Sequence, residues 1–102
     1  MDTRPMQSTP AQAAFTPAFS VDHTLDARGL VCPLPLLKTK HCLLQLEVGQ
    51  VLYVLAEDTG AWTDIPAFVR HSQQHTLLDA QHTATGYHFW IRKGESLFSR
   101  SV

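Results

Sequence analysis

A two-layer α/β sandwich of the α+β type, with element order βαβαββ and two helices on one face of a four-stranded mixed sheet, is the fold the sequence predicts. Three observations carry that expectation. Residues 51–56 (VLYVLA) form a continuous apolar run of strand length. Residues 33–46 place leucines at spacings of three and four behind two prolines, the signature of a helix with one buried stripe. Residues 76–83 and 87–93 read as two strands separated by a short Gly-containing turn, which marks a hairpin.

The elements follow in order. His23 to Ala27 is a short strand, closed by a turn at Arg28 and Gly29. The first helix then starts with Pro33 and Pro35 in its first turn, where the N–H that proline lacks has no intrahelical partner anyway. Leu36, Thr39, Leu43 and Leu46 form its buried stripe, and Gly49 ends the segment. After the 51–56 strand, Asp58, Thr59 and Gly60 make a turn. The second helix begins either there or at Asp64, with Pro66 at an early position and Ile65, Phe68 and Val69 inward. A right-handed crossover makes the first two strands parallel, and the closing hairpin is antiparallel. In the last strand Tyr87, Phe89 and Ile91 alternate with His88, Trp90 and Arg92, so one set must face away from the helices. The second set is assigned to the open face, with Trp90 as a candidate docking residue.

Length and composition set the outer bounds. With 102 residues, 44% hydrophobic and 17% charged, the chain is sized for one domain. Residues 1–21, rich in proline and without periodicity, read as a disordered tail. A docked strand through Phe15 and Phe19 is the alternative there. Residues 22–94 form the folded unit and 95–102 a C-terminal tail. Eight Lys and Arg against nine Asp and Glu leave a net charge of -1, which gives no field for collecting phosphates, so direct nucleic-acid binding is not expected. No apolar run approaches the roughly 20 residues of a bilayer span, and no secretory signal stands at the N-terminus. No membrane association is expected, and the cytoplasm is the expected compartment.

Cys32 is the candidate reactive group. Its place before Pro33 puts it at the cap of the first helix, where orphan N–H groups and the dipole favour an anion, here a thiolate of lowered pKa. The opposing reading is a packed, inert cysteine at an ordinary proline-started helix. Cys42 lies ten residues further on. At about 1.5 Å per residue that is roughly 15 Å along a helix, beyond the roughly 7 Å Cα separation that a disulfide spans. Cys42 is read as a half-buried filler. Among the six histidines, His71 and His75 share a spacing of four, but no third ligand accompanies them. No metal or organic cofactor is expected. Asp58 and Asp64 read as cap residues.

The stretch HTLDARGLVCPLPLLKTK, residues 23–40, resembles the TusA/SirA family of small sulfur-relay proteins, whose hallmark is Cys-Pro-X-Pro, here Cys32, Pro33, Leu34 and Pro35. The resemblance continues through Gly49, the acidic turn at Glu57 and Asp58, the DIPAF segment at 64–68, and Ile91 to Gly94. It implies the βαβαββ sandwich and a sulfurtransferase that accepts sulfane sulfur as a persulfide on Cys32 and hands it to an acceptor protein. The implied donors are cysteine desulfurases and rhodanese-type proteins. The implied uses are tRNA thiolation, molybdenum cofactor work and sulfur oxidation. Pro33, Pro35, Arg28 and Gly29 are the expected supporting residues.

Two departures stand out. Leu34 lies where some members of the family carry an acidic residue, and Val69 where many carry a second cysteine. Leu34, like Trp90, is therefore a candidate for partner docking. Two other functions compete with sulfur transfer. One is a regulatory binding module that docks protein or RNA through the open sheet face, and the other is a thiol redox sensor.

Overall fold

The computed structural model describes residues 20–95, so the expected tails lie outside the described residues apart from positions 20, 21 and 95. The element order is β1 (His23–Ala27), α1 (Leu34–Gln45), β2 (Val51–Ala56), α2 (Thr59–Ser72), β3 (Thr76–Thr83) and β4 (Gly86–Arg92). The sheet order is β1-β2-β4-β3. β1 runs parallel to β2, with Leu25 opposite Val54, while β4 is antiparallel to both β2 and β3. This is the expected mixed sheet with both helices packed against it.

The core lies between the sheet and the helices. Leu52, Val54 and Ala56 of β2 and Phe89 and Ile91 of β4 meet Leu43 of α1 and Ala61, Ile65 and Val69 of α2, all buried. A strand covered on one face reads as alternation, and β2 and β4 are the central strands that supply most of this surface. Pro35 and Thr39 are buried with Leu43 on α1, and Thr39 satisfies its hydroxyl on the carbonyl of Pro35 at 2.8 Å. Leu36 and Leu46, expected in the buried stripe, are only half-buried, and Leu37 and Leu44 are exposed.

The structure settles one open choice and corrects two readings. Of the two starts offered for the second helix, the one at the Asp58–Gly60 turn is taken: the helix begins at Thr59, and the Asp58 side chain accepts from Gly60 N at 3.0 Å and so caps it. Pro66 therefore lies inside the helix. His71 and His75 do not share a helix face. α2 stops at Ser72, Gln73 takes the left-handed conformation at φ 54°, and His75 turns inward to accept from Gly94 N at 3.1 Å through Nδ1. Trp90 does face away from the helices, but it is only 2% exposed and stacks on Tyr53 at 5.2 Å between centroids. It sits in a central strand, so flanking rings cover it, and it offers no docking surface.

The same face carries a buried histidine. His88 Nδ1 pairs with Tyr53 Oη at 2.7 Å and Nε2 with Thr83 Oγ1 at 2.7 Å, so its ring is hydrogen-bonded at both nitrogens. The network ties β2 to the β3–β4 turn and satisfies a polar side chain that would be costly to bury unpaired. Among the described residues, no helix is long and apolar enough to cross a membrane.

Candidate functional site

The loop from Arg28 to Pro33 carries the β1 chain into α1. Gly29, at φ 84°, takes a backbone conformation that a side chain would disfavour, and its N–H donates to Glu57 Oε1 at 3.0 Å. The loop is thereby pinned to the end of β2. Leu34 N–H donates to Val31 O at 2.9 Å, and the Cys32–Pro33 peptide is cis. Cys32 and Leu34 are both exposed, Leu34 by 42%. Both cysteines are free thiols, and Cys42 is half-buried against the core, as the helix spacing predicts.

The helix cap is Pro33 rather than Cys32, and no side chain caps α1. Pro33 and Pro35 have no N–H, while those of Leu34 and Leu37 are taken by the carbonyls of Val31 and Pro33. Little of the helix end is left to hold an anionic sulfur. The sulfur instead faces α2. Its thiol donates to Asp64 Oδ2 at 3.3 Å, a pair 32 residues apart in sequence. Gly60 lies against the same group. A Cβ there would come within 3.3 Å of Cys32 Cβ, 3.5 Å of Sγ and 2.8 Å of Asp58 Oδ2. Gly60 thus leaves room for the Asp58 carboxylate and for close packing of the start of α2 on the cysteine.

These neighbours reverse the expected electrostatics. The hydrogen bond to Asp64, then loss of solvation, then the charges of Asp64 and Asp58 push the Cys32 thiol above its ordinary value. A thiol of lowered pKa, as the helix-end reading predicts, is therefore not what the structure holds. The resting group is a neutral thiol donating to a carboxylate. Arg28, one of the expected supporting residues, is committed elsewhere. Its Nε and Nη2 grip the two carboxylate oxygens of Asp26 at 2.9 and 2.8 Å, which holds Asp26 near pKa 2.

From Asp64 a groove of about 420 Å³ runs between the helices, bordered by Leu36, Lys40, Phe68 and His71. Lys40 Nζ lies over the Phe68 ring at 5.2 Å, so the groove that Asp64 borders carries both an apolar ring and a cation. Asp64 and Gly60 were not among the site residues expected from sequence. Asp64 had been assigned to capping, and the DIPAF resemblance was the one signal that marked its segment. Trp62 was also missed. It is 39% exposed and leans on Tyr87 at 5.4 Å and Phe89 at 5.9 Å, on the β4 side of α2. Among the described residues no group of His, Cys, Asp and Glu is arranged to hold a metal ion.

Comparison with known proteins adds three findings. A family model described as Sulfurtransferase TusA matches residues 23–93. The chain is 44% identical over 73 residues to YrkI of Bacillus subtilis (strain 168), a protein named as a candidate sulfur carrier, covering 72% of this chain and 96% of that one. It is also similar to the crystal structure of a SirA-like protein from Desulfitobacterium hafniense, with a TM-score of 0.60 and 25% identity over 72% of this chain and 100% of that chain.

Proposed function

The chain belongs to the TusA sulfurtransferase family, and from that premise we propose that Cys32 takes up sulfane sulfur as a persulfide and passes it to the cysteine of an acceptor protein. The observation that carries this reading is the placement of Cys32. Its thiol is exposed, the turn that holds it is pinned through Gly29 and Glu57, and its hydrogen-bond partner Asp64 borders a groove between the helices.

The chemistry is exchange at sulfur. The Cys32 sulfur attacks the outer sulfur of a donor persulfide, a new S–S bond forms, and the donor's S–S bond breaks. The donor thiolate leaves with the bonding pair and takes up the proton that Cys32 gives up. Unloading repeats the step with the acceptor thiolate as attacker. Each exchange is redox-neutral, and thiol exchange needs no metal or organic cofactor. Pro33 and Pro35 stiffen the backbone beside the sulfur, Gly29 supplies the turn, and Arg28 braces that turn through Asp26. Leu34 is the apolar contact offered to partners.

The proposed donors are a cysteine desulfurase or a rhodanese-type protein. The proposed acceptors belong to tRNA thiolation, molybdenum cofactor or sulfur oxidation chemistry, and the reducing cytoplasm is the proposed setting. Incubation with glutathione persulfide followed by intact-mass measurement tests the reading. The wild-type chain is expected to gain the mass of one sulfur atom, placed on Cys32 by peptide mapping, and Cys32→Ser to gain none at that position. Sulfur found on Cys42 alone would overturn it.

A further inference from the structure

Asp64 is placed where a nucleophile's neighbour should not be, if speed were the only requirement. A carboxylate 3.3 Å from the sulfur accepts its proton and opposes the negative charge that attack requires. The arrangement is built rather than incidental. Asp64 projects from the second turn of α2, whose start is fixed by the Asp58 cap, and Gly60 lets that turn close onto Cys32. Asp58 adds a second negative charge on the same side of the sulfur. Arg28 is paired with Asp26, and Lys40, which lies over the Phe68 ring, makes no ion pair with Asp58 or Asp64 among the described residues. Glu57 is bonded to Gly29 N on the loop that carries Cys32. The free protein therefore presents a thiol whose neighbouring carboxylates, Asp58 and Asp64, have no direct ion-pair partner among the described residues.

We propose that Asp64 is a specificity-determining residue, holding the Cys32 thiol as its hydrogen-bond donor in the free protein and releasing it to partners that present a cationic group beside their reactive sulfur. The proposal deepens the sulfur-carrier reading and rests on it. When a Lys, Arg or ammonium group pairs with the Asp64 carboxylate, the negative potential at the sulfur is cancelled and the thiol ionises more readily. The exchange then proceeds with balanced atoms. Cys32 forms its bond to the outer sulfur, the donor S–S bond breaks, and the proton from Cys32 ends on the departing donor thiolate. Persulfides and oxidants without a cation meet the protonated, slow form. Selectivity thus comes from an unfavourable contact relieved only by the right partner.

Two small persulfides of opposite charge test this on the intact chain: cysteamine persulfide, which carries an ammonium group, and glutathione persulfide, which is anionic. Sulfur uptake on Cys32 is followed by intact mass for the wild type, Asp64→Asn and Asp64→Glu, and iodoacetamide alkylation of Cys32 is followed against pH. Comparing each variant's ratio of the two uptake rates cancels the intrinsic reactivities of the reagents. The wild type and Asp64→Glu should favour cysteamine persulfide, and Asp64→Asn should lose most of that preference. Asp64→Asn should also alkylate at a lower pH midpoint, about tenfold faster at neutral pH for each unit by which the midpoint falls. An unchanged rate ratio in Asp64→Asn would overturn the proposal, whatever happens to the absolute rates. If no protein takes up sulfur from either reagent, the sulfur-carrier reading fails. The alkylation midpoints then still report whether Asp64 holds the thiol.

Discussion

At Cys32 two influences of opposite sign compete. The start of α1 lies two residues downstream, but its dipole acts through a turn depleted of N–H donors by Pro33 and Pro35 and is screened by solvent. Asp64 acts through a direct hydrogen bond to a full charge at 3.3 Å, and contact outweighs a screened partial charge. Alkylation of Cys32 should accordingly show a pH midpoint above the ordinary thiol range, measured by mass with Cys42 as an internal comparison. Gly60→Ala tests the same packing from the other side. A Cβ 2.8 Å from Asp58 Oδ2 and 3.3 Å from Cys32 Cβ must displace one of them. Cys32 alkylation is expected to change in rate while that of Cys42 does not, and equal rates at both sites would show that the contact is not tight. The residue proposed to carry the chemistry was legible in the sequence, because Cys-Pro-X-Pro is a local pattern. Its electrostatic setting was not, since Asp64, 32 residues away in sequence, reaches the sulfur only after the two helix starts are brought together.

The elements were largely legible because their signals are local. β1, β2 and β3 occupy the expected residues, since β-branched and apolar runs bounded by turns leave little choice of register where one face is buried. Helix starts were less so. Two candidate caps, Asp58 and Asp64, precede apolar positions, and proline at 66 favours the later one as an early helical residue. The earlier start is the one that lets α2 bury Ala61, where a start at Asp64 would leave that contact outside the helix. Asp58→Ala should remove the cap and lower stability by about 1 kcal/mol, read from the shift in a denaturant midpoint. The same substitution withdraws one of the charges on Cys32, so its alkylation midpoint should fall as well. A loss of stability with no change in the midpoint would assign Asp58 to capping alone.

For the molecule as a whole, two shielded histidines, His88 on the open sheet face and His75 against Phe68, shape how stability responds to acid. Burial holds His88 and His75 below the ordinary histidine value of 6.5. The unfolded chain therefore binds more protons than the folded one between the depressed values and about 6.5, and folding is favoured as pH rises through that window. Thermal unfolding should be independent of these groups above about pH 7 and fall progressively below 6.5. The slope should flatten in His88→Gln, and an unchanged slope would remove His88 from the account. The alternation of β4 correctly placed Trp90 on this face, but periodicity reports direction and not depth. The strand order β1-β2-β4-β3 makes β4 central and sets Trp90 beside Tyr53 and His88, whose rings stack on it. With the docking role of Trp90 withdrawn, the account of function rests on Cys32. Intact-mass measurement after incubation with cysteamine persulfide tests it most directly. The wild type is predicted to gain one sulfur atom on Cys32 and to surrender it to an acceptor thiol, and a chain that gains none, or gains it equally after Cys32→Ser, would contradict the account.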